Sequence, residues 1–100
     1  MKLSAVIIAR DEESNIAACL DSVAFCHEKV VVDSGSRDAT VQMAESAGAE
    51  VYRRDFDDFA AQKNFAISKA GGDWLLLLDA DERVTPSLRR EIEDAVGTSR

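Results

Sequence analysis

The stretch DWLLLLDADERVTP, Asp73 to Pro86, runs an unbroken leucine segment, Leu75 to Leu78, straight into two carboxylates, Asp79 and Asp81. A short apolar run of this kind is the pattern of a strand covered on both faces in a parallel sheet. In an extended backbone residues i and i+2 point to the same side, so Asp79 and Asp81 can present their charges together. Two unit charges about 4 Å apart interact by roughly 4 kcal/mol at an effective dielectric near 20, so such a pair calls for compensation. A hard divalent cation supplies it, and an all-oxygen donor set favours Mg²⁺ or Mn²⁺, which keep waters and accept phosphate oxygens as further ligands. The competing reading of the same residues is a solvated acidic loop with Arg83 as its ion-pair partner.

Working outward, apolar runs alternate with helical patterns, the signature of βαβ units and a parallel sheet. Leu3 to Ala9 (LSAVIIA) reads as the first strand, followed by a helix capped by Ser14 or Asn15 and carrying Ile16, Leu20, Val23 and Ala24 on one face. Lys29 to Asp33 (KVVVD) is the second strand. Asp38 stands near the start of a helix bearing Val41, Ala44 and Ala47, with Gly48 as its stop. Glu50 to Arg54 (EVYRR) is a weaker third strand. Phe59 to Ala70 reads as a helix packing through Ala61, Phe65 and Ala66 and ending at Gly71 and Gly72, ahead of the fourth strand, DWLLLL. Thr85 and Pro86 occupy the cap and first turn of a last helix, on which Leu88, Ile92, Ala95 and Val96 share a face.

At 100 residues and 46% hydrophobic content, the chain reads as one globular domain without repeats or linkers. No run approaches the roughly 20 apolar residues of a membrane span, and MKLSAVIIARDEES lacks the apolar centre and cleavage site of a signal peptide, so the cytoplasm is the expected location. A net charge of −7 argues against nucleic acid or an anionic membrane as a broad surface partner. Cys19 and Cys26 read as buried thiols on one helix, about 10 Å apart and too far to bridge; with His27 they match no common zinc spacing.

Ligands of such sheets bind beyond the C-terminal ends of the strands. Those ends read Arg10-Asp11-Glu12, Asp33-Ser34-Gly35-Ser36, Arg53-Arg54 and Asp79-Ala80-Asp81-Glu82. Asp33, last in its strand, can accept a hydrogen bond from an imide or a sugar hydroxyl. Each turn also has a conformational reading, because Asp, Ser and Gly are common where strands turn into helices. Neither the glycine fingerprint of dinucleotide-binding folds nor that of the P-loop is present. Lys63, in the segment AQKNFA, is a phosphate or ribose partner or simply a solvated lysine.

Together AVIIARDEESNIAACLDSV, VVVDSGSRDATVQMAESAGAEV and FAAQKNFAISKAGGDWLLLLDADERV resemble the N-terminal, nucleotide-sugar-binding part of family 2 glycosyltransferases, closest to the bacterial branch that includes lipopolysaccharide-core β-glucosyltransferases. The resemblance implies a Rossmann-like GT-A half: an α/β unit whose parallel sheet of about four strands, in the order 3-2-1-4, is flanked by helices. It implies that Ala9, Arg10 and Glu12 border the nucleoside, that Asp33 receives the uracil N–H, and that Lys63 lies near the nucleotide. Asp79 would face the ribose or the metal shell, and Asp81 would ligate the Mg²⁺ or Mn²⁺. The implied reaction is inverting transfer of a sugar, glucose by the resemblance, from a UDP-sugar to a glycan or glycolipid acceptor in lipopolysaccharide-core or other envelope synthesis, with peripheral contact at the inner membrane. The acceptor-binding part and the general base are expected beyond Arg100. Two alternatives stay open: a non-catalytic nucleotide-binding module, and a haloacid-dehalogenase-like phosphatase using the D-x-D motif.

Overall fold

A computed structural model describes residues 2–98. Ser99 and Arg100, the end of the GTSR tail, lie outside the described residues. The elements run β1 (Leu3–Ala9), α1 (Ile16–Ser22), β2 (Glu28–Asp33), α2 (Thr40–Ser46), β3 (Glu50–Arg53), α3 (Phe59–Lys69), β4 (Trp74–Asp79) and α4 (Pro86–Thr98). The strands form one sheet in the order β3-β2-β1-β4, with every pairing parallel. This is the order expected from the sequence. The register aligns Ala9 with Asp33, Ile8 with Asp79, and Asp33 with Arg53, so all four strands end at the same level.

Alternation along the strands divides the core in two. Leu3, Ala5, Ile7 and Ala9 face one side, where Ile16, Cys19, Leu20 and Val23 cover them. Val6, Val30 and Val32 face the other, against Ala66 and the partly buried Tyr52 and Phe65. Helix ends follow local chemistry. The Gly48 backbone is left-handed, φ 87°, and the Gly48 and Ala49 N–H groups donate to the Glu45 and Ala44 carbonyls, closing α2 as the sequence implied. Thr85 Oγ1 accepts from Leu88 N–H and caps α4. On α3 the cap is Asp58, whose carboxylate accepts from Ala61 N–H.

The structure corrects four details. The leucine run is not covered on both faces: Leu75 and Leu77 are 38% and 45% exposed, because β4 is an edge strand and α3 sits over β1 and β2 instead. Cys26 is not on the helix that carries Cys19. Helix α1 stops at Ser22, and short-range bonds such as Val23 N–H to Leu20 O and Cys26 N–H to Val23 O turn the chain away. Both thiols are buried, and burial pushes each up to about 11. On α3 the fully buried positions are Gln62 and Ala66, with Ala61 and Phe65 only partly covered. Among the described residues of α4, Ile92 and Val96 reach the core, whereas Leu88 and Ala95 are exposed.

Candidate functional site

The loop after β1 is laced to the loop after β2. Asp11 N–H donates to Ser36 Oγ at 2.8 Å, Glu12 N–H to Thr40 Oγ1 at 2.8 Å, and Arg37 N–H to Asp11 Oδ1 at 2.7 Å. Glu13 adds a reciprocal pair, its N–H to Asp38 Oδ2 and its Oε2 from Ala39 N–H. Asp38 also accepts from the Thr40 hydroxyl, the main reason its carboxyl lies below the usual carboxylate range. Asp11 takes a left-handed backbone, φ 51°, a conformation uncommon outside glycine and held here by these bonds. The lacing fixes Arg10 and Glu12 over the end of β1.

Asp33 is fully buried. Its Oδ2 accepts from Gly35 N–H at 3.0 Å and Ser36 N–H at 2.8 Å, and its Oδ1 accepts from the Ser36 hydroxyl, so the carboxylate shapes its own turn. Gly35, φ 105°, makes that turn possible.

Beyond β4, Ala80 N–H donates to Ile8 O, which ties the acidic turn to β1, and Ala80 is buried. The turn closes on itself, with Glu82 N–H to Asp79 O at 2.9 Å and Asp79 N–H to Glu82 Oε1 at 2.7 Å. Arg83 reaches Asn15 Oδ1 at 3.1 Å and the Asp81 carbonyl, not the Asp81 carboxylate. The ion pair of the solvated-loop reading is therefore not formed. Among the described residues neither the Asp79 nor the Asp81 carboxylate accepts a hydrogen bond or forms an ion pair, and both are exposed.

Ala9, Arg10, Glu12, Asp79 and Asp81 line one open cavity of about 440 Å³ at the C-terminal end of the sheet. Ser34 borders it, whereas Asp33 sits behind Ser34 and does not line it. Lys63 occupies an adjoining recess of about 100 Å³ with Val6, Leu77, Asp79 and Glu82. Asp79 borders both spaces, so Lys63 lies beside the acidic turn rather than in the main cavity. No three acidic, imidazole or thiol side chains converge on a metal position among the described residues. Two oxygen donors with room beside them nevertheless suit Mg²⁺ or Mn²⁺, which is held through one or two carboxylates with water and substrate phosphates completing the shell.

The cavity has a wall that sequence reasoning missed. Phe56 and Phe59, from the β3–α3 loop and the first residue of α3, line it together with Asp79 and Asp81. The signal was available: DFDDF, Asp55 to Phe59, places two phenylalanines in an otherwise acidic loop. Arg54 fixes this loop. Its guanidinium pairs with Asp57 through two bonds of 2.8 and 3.0 Å, donates to Gln62 Oε1 at 2.7 Å, and lies 5.5 Å from the Phe65 ring centre. Its backbone N–H donates to Asp33 O at 2.9 Å, and Gln62 Nε2 returns a bond to Arg54 O. The Arg54 guanidinium holds the Asp57 carboxyl down at about 2.

Comparison with known proteins bears on what such a cavity serves. The sequence pattern of the family described as glycosyl transferase family 2 matches residues 4–96. The chain is 43% identical over 93 residues to an uncharacterized glycosyltransferase of Rickettsia felis, covering 92% of this chain and 33% of that protein. It is 35% identical over 104 residues to the lipopolysaccharide core biosynthesis glycosyltransferase LpsC of Rhizobium meliloti, covering 99% and 38%. Its fold matches S. aureus TarS in complex with UDP-GlcNAc, with a TM-score of 0.81 and 26% identity, over 97% of this chain and 30% of that one. The chain thus spans about a third of the length of these relatives.

Proposed function

The chain belongs to glycosyltransferase family 2, and from that premise we propose that it binds the donor of an inverting sugar transfer, a UDP-sugar, at the C-terminal end of its sheet. Glucose is the proposed sugar and a lipopolysaccharide-core or other envelope glycan the proposed acceptor, in keeping with the likeness to LpsC. The observation that carries the reading is the convergence of Arg10 and Glu12 from the β1 loop with Asp79 and Asp81 from the β4 turn on one cavity. An open cleft beyond the strand ends of an α/β sheet is where such folds take nucleotides.

The proposed roles are those the family resemblance implies. Ala9, Arg10 and Glu12 border the nucleoside. Asp33 is the proposed acceptor of the uracil imide N–H; because its carboxylate is buried and held by Gly35 and Ser36, that contact requires the turn at Ser34 to move aside. Lys63, beside Asp79, balances charge where the diphosphate lies. Asp79 faces the ribose or the metal shell, and Asp81 is the proposed ligand of Mg²⁺ or Mn²⁺. When bound, the cation supplies charge neutralisation for the departing diphosphate. Glu12, Asp79 and Asp81 bring three negative charges to a cavity with Arg10 as its one cationic lining residue among the described residues, so diphosphate binding without a cation is opposed by repulsion. The general base that deprotonates the acceptor is proposed to lie beyond Arg100, and the chain is proposed to act in the cytoplasm, against the inner membrane. No helix among the described residues is long and apolar enough to cross a membrane.

Calorimetric titration with UDP, GDP and ADP, each with Mn²⁺ and with EDTA, tests this reading. UDP is expected to bind best and only with the cation; equal binding of all three would remove uracil selection, and no binding would remove the donor site. A sugar-transfer assay beside the titration addresses the second reading, a nucleotide-binding module without catalysis. A chain that binds UDP but transfers no sugar, where a longer form does, fits that module. The phosphatase alternative ends with the family match.

A further inference from the structure

We propose that Phe56 and Phe59 form the surface on which the pyrimidine base of the ligand packs, and that Arg54 is the positioning residue that holds them there. The proposal rests on the UDP-sugar reading above and deepens it.

Phe56 is 43% and Phe59 70% exposed, although a mostly polar loop offers no reason to leave two large apolar rings in water. They are not splayed at random. Their ring centres lie 5.0 Å apart at an interplanar angle of 73°, an edge-to-face pair, and both residues line the cavity that Asp79 and Asp81 also line. A nucleotide has one flat, weakly hydrated part, its base, and one strongly charged part, its diphosphate. Acidic side chains with a cation suit the second, and an aromatic face suits the first. Phe56 and Phe59 are the aromatic residues that line this cavity, so the base has one aromatic wall to meet.

The loop between β3 and α3 is secured for this purpose at a buried point. Gln62 is fully buried and bonded to Arg54 in both directions, through Arg54 Nη1 to Gln62 Oε1 and Gln62 Nε2 to Arg54 O. The guanidinium also clamps Asp57, which lies between the two phenylalanines in sequence. Arg54 N–H is bonded to the carbonyl of Asp33, so the aromatic loop is registered directly to the strand end proposed to select the base. Lysine cannot reproduce this, because a single ammonium lacks the planar fork that meets Asp57 and Gln62 together.

The test titrates the wild-type chain, Phe56→Ala, Phe59→Ala, Phe59→Trp and Arg54→Lys with UDP and, separately, with inorganic pyrophosphate, both with Mn²⁺. Each alanine variant is expected to weaken UDP about tenfold, the range measured when a base loses an aromatic neighbour, and to leave pyrophosphate unchanged. Phe59→Trp is expected to retain UDP affinity, with indole fluorescence quenched by UDP and not by pyrophosphate. Arg54→Lys is expected to lower the melting temperature and to weaken UDP while leaving pyrophosphate unchanged. Wild-type UDP affinity in both alanine variants, or equal losses for UDP and pyrophosphate, would overturn the aromatic wall while leaving the donor site standing. Wild-type binding of pyrophosphate but not UDP would overturn the nucleotide reading itself and the wall with it.

Discussion

At the N-terminal end of the sheet Glu28 accepts from the Ser4 hydroxyl at 2.7 Å and from Gly71 N–H at 2.8 Å, and Ser4 Oγ accepts in turn from Gly72 N–H at 2.9 Å. At the C-terminal end Asp79 and Asp81 face an open cavity with no such donors on their carboxylates among the described residues. Both ends are polar, and both border cavities of similar size, about 470 and 440 Å³. At the first, Asp73 accepts from Lys2 N–H and His27 Nδ1 from Leu3 N–H, so side chains there seal the backbone of the βαβ crossovers. An acid whose lone pairs are filled by protein donors stabilises the fold, whereas acids left open beside one another cost stability and are available to a ligand. The difference lies in where the hydrogen bonds go, not in residue type.

Substitutions at the two ends are therefore expected to separate stability from binding. The largest stability effect belongs to Gly72, where an added Cβ would collide with Ser4 Oγ and approach Lys2 O and Ser4 N to 3.0 Å. Gly72→Val should lower unfolding free energy by about 3 kcal/mol, seen in urea denaturation, and a wild-type midpoint would break the contrast. Glu28→Ala leaves Gly71 N–H and the Ser4 hydroxyl without their acceptor and should cost about 1–2 kcal/mol in the same measurement. Those donors, Gly71 first, hold the Glu28 carboxyl below its ordinary 4.5, so its contribution is complete above that pH and is lost as pH falls through the lower folded value. Acid denaturation should begin at a higher pH if this clamp is removed.

Asp81→Asn, at the other end, should change stability by no more than about 0.5 kcal/mol while UDP binding loses its cation requirement; Asp79→Asn should have the milder effect on binding. A destabilised Asp81→Asn chain would show that the open acid is structural after all. The smallest response concerns Asp57. Its carboxyl is held at about 2, below the ordinary 3.8, by the Arg54 guanidinium, so the contact is intact above pH 3.8 and lost as pH falls through 2. Site-resolved NMR titration should show this depression vanish in Arg54→Lys.

Much of the site was legible because strand ends announce themselves. An apolar run that stops at VVVD or LLLLD must leave its last residue at the rim of a parallel sheet, and the common register puts Asp33 and Asp79 at that rim. What misled was the leucine run itself. Leu75 and Leu77 carry no mark that distinguishes a central strand from an edge strand, since the covering helix is set by which strands α3 crosses. Asp33 illustrates the same limit at one residue: its position was readable, but the occupation of its carboxylate by Gly35 and Ser36 depends on how the turn closes.

The sequence by itself determined the alternation of strands and helices, the parallel sheet, the polar strand ends and the caps at Gly48 and Thr85, because these depend on periodicity and on residues a few positions apart. Only the tertiary structure decided that Phe56 and Phe59 share a cavity with Asp79 and Asp81, that Lys63 sits in the neighbouring recess, and that Arg54 joins Asp57, Gln62 and the end of β2. Those relations join segments with no shared period, and they arise from the strand order, which sets β3 and β4 at opposite edges and lets the loops that leave them meet above β1 and β2.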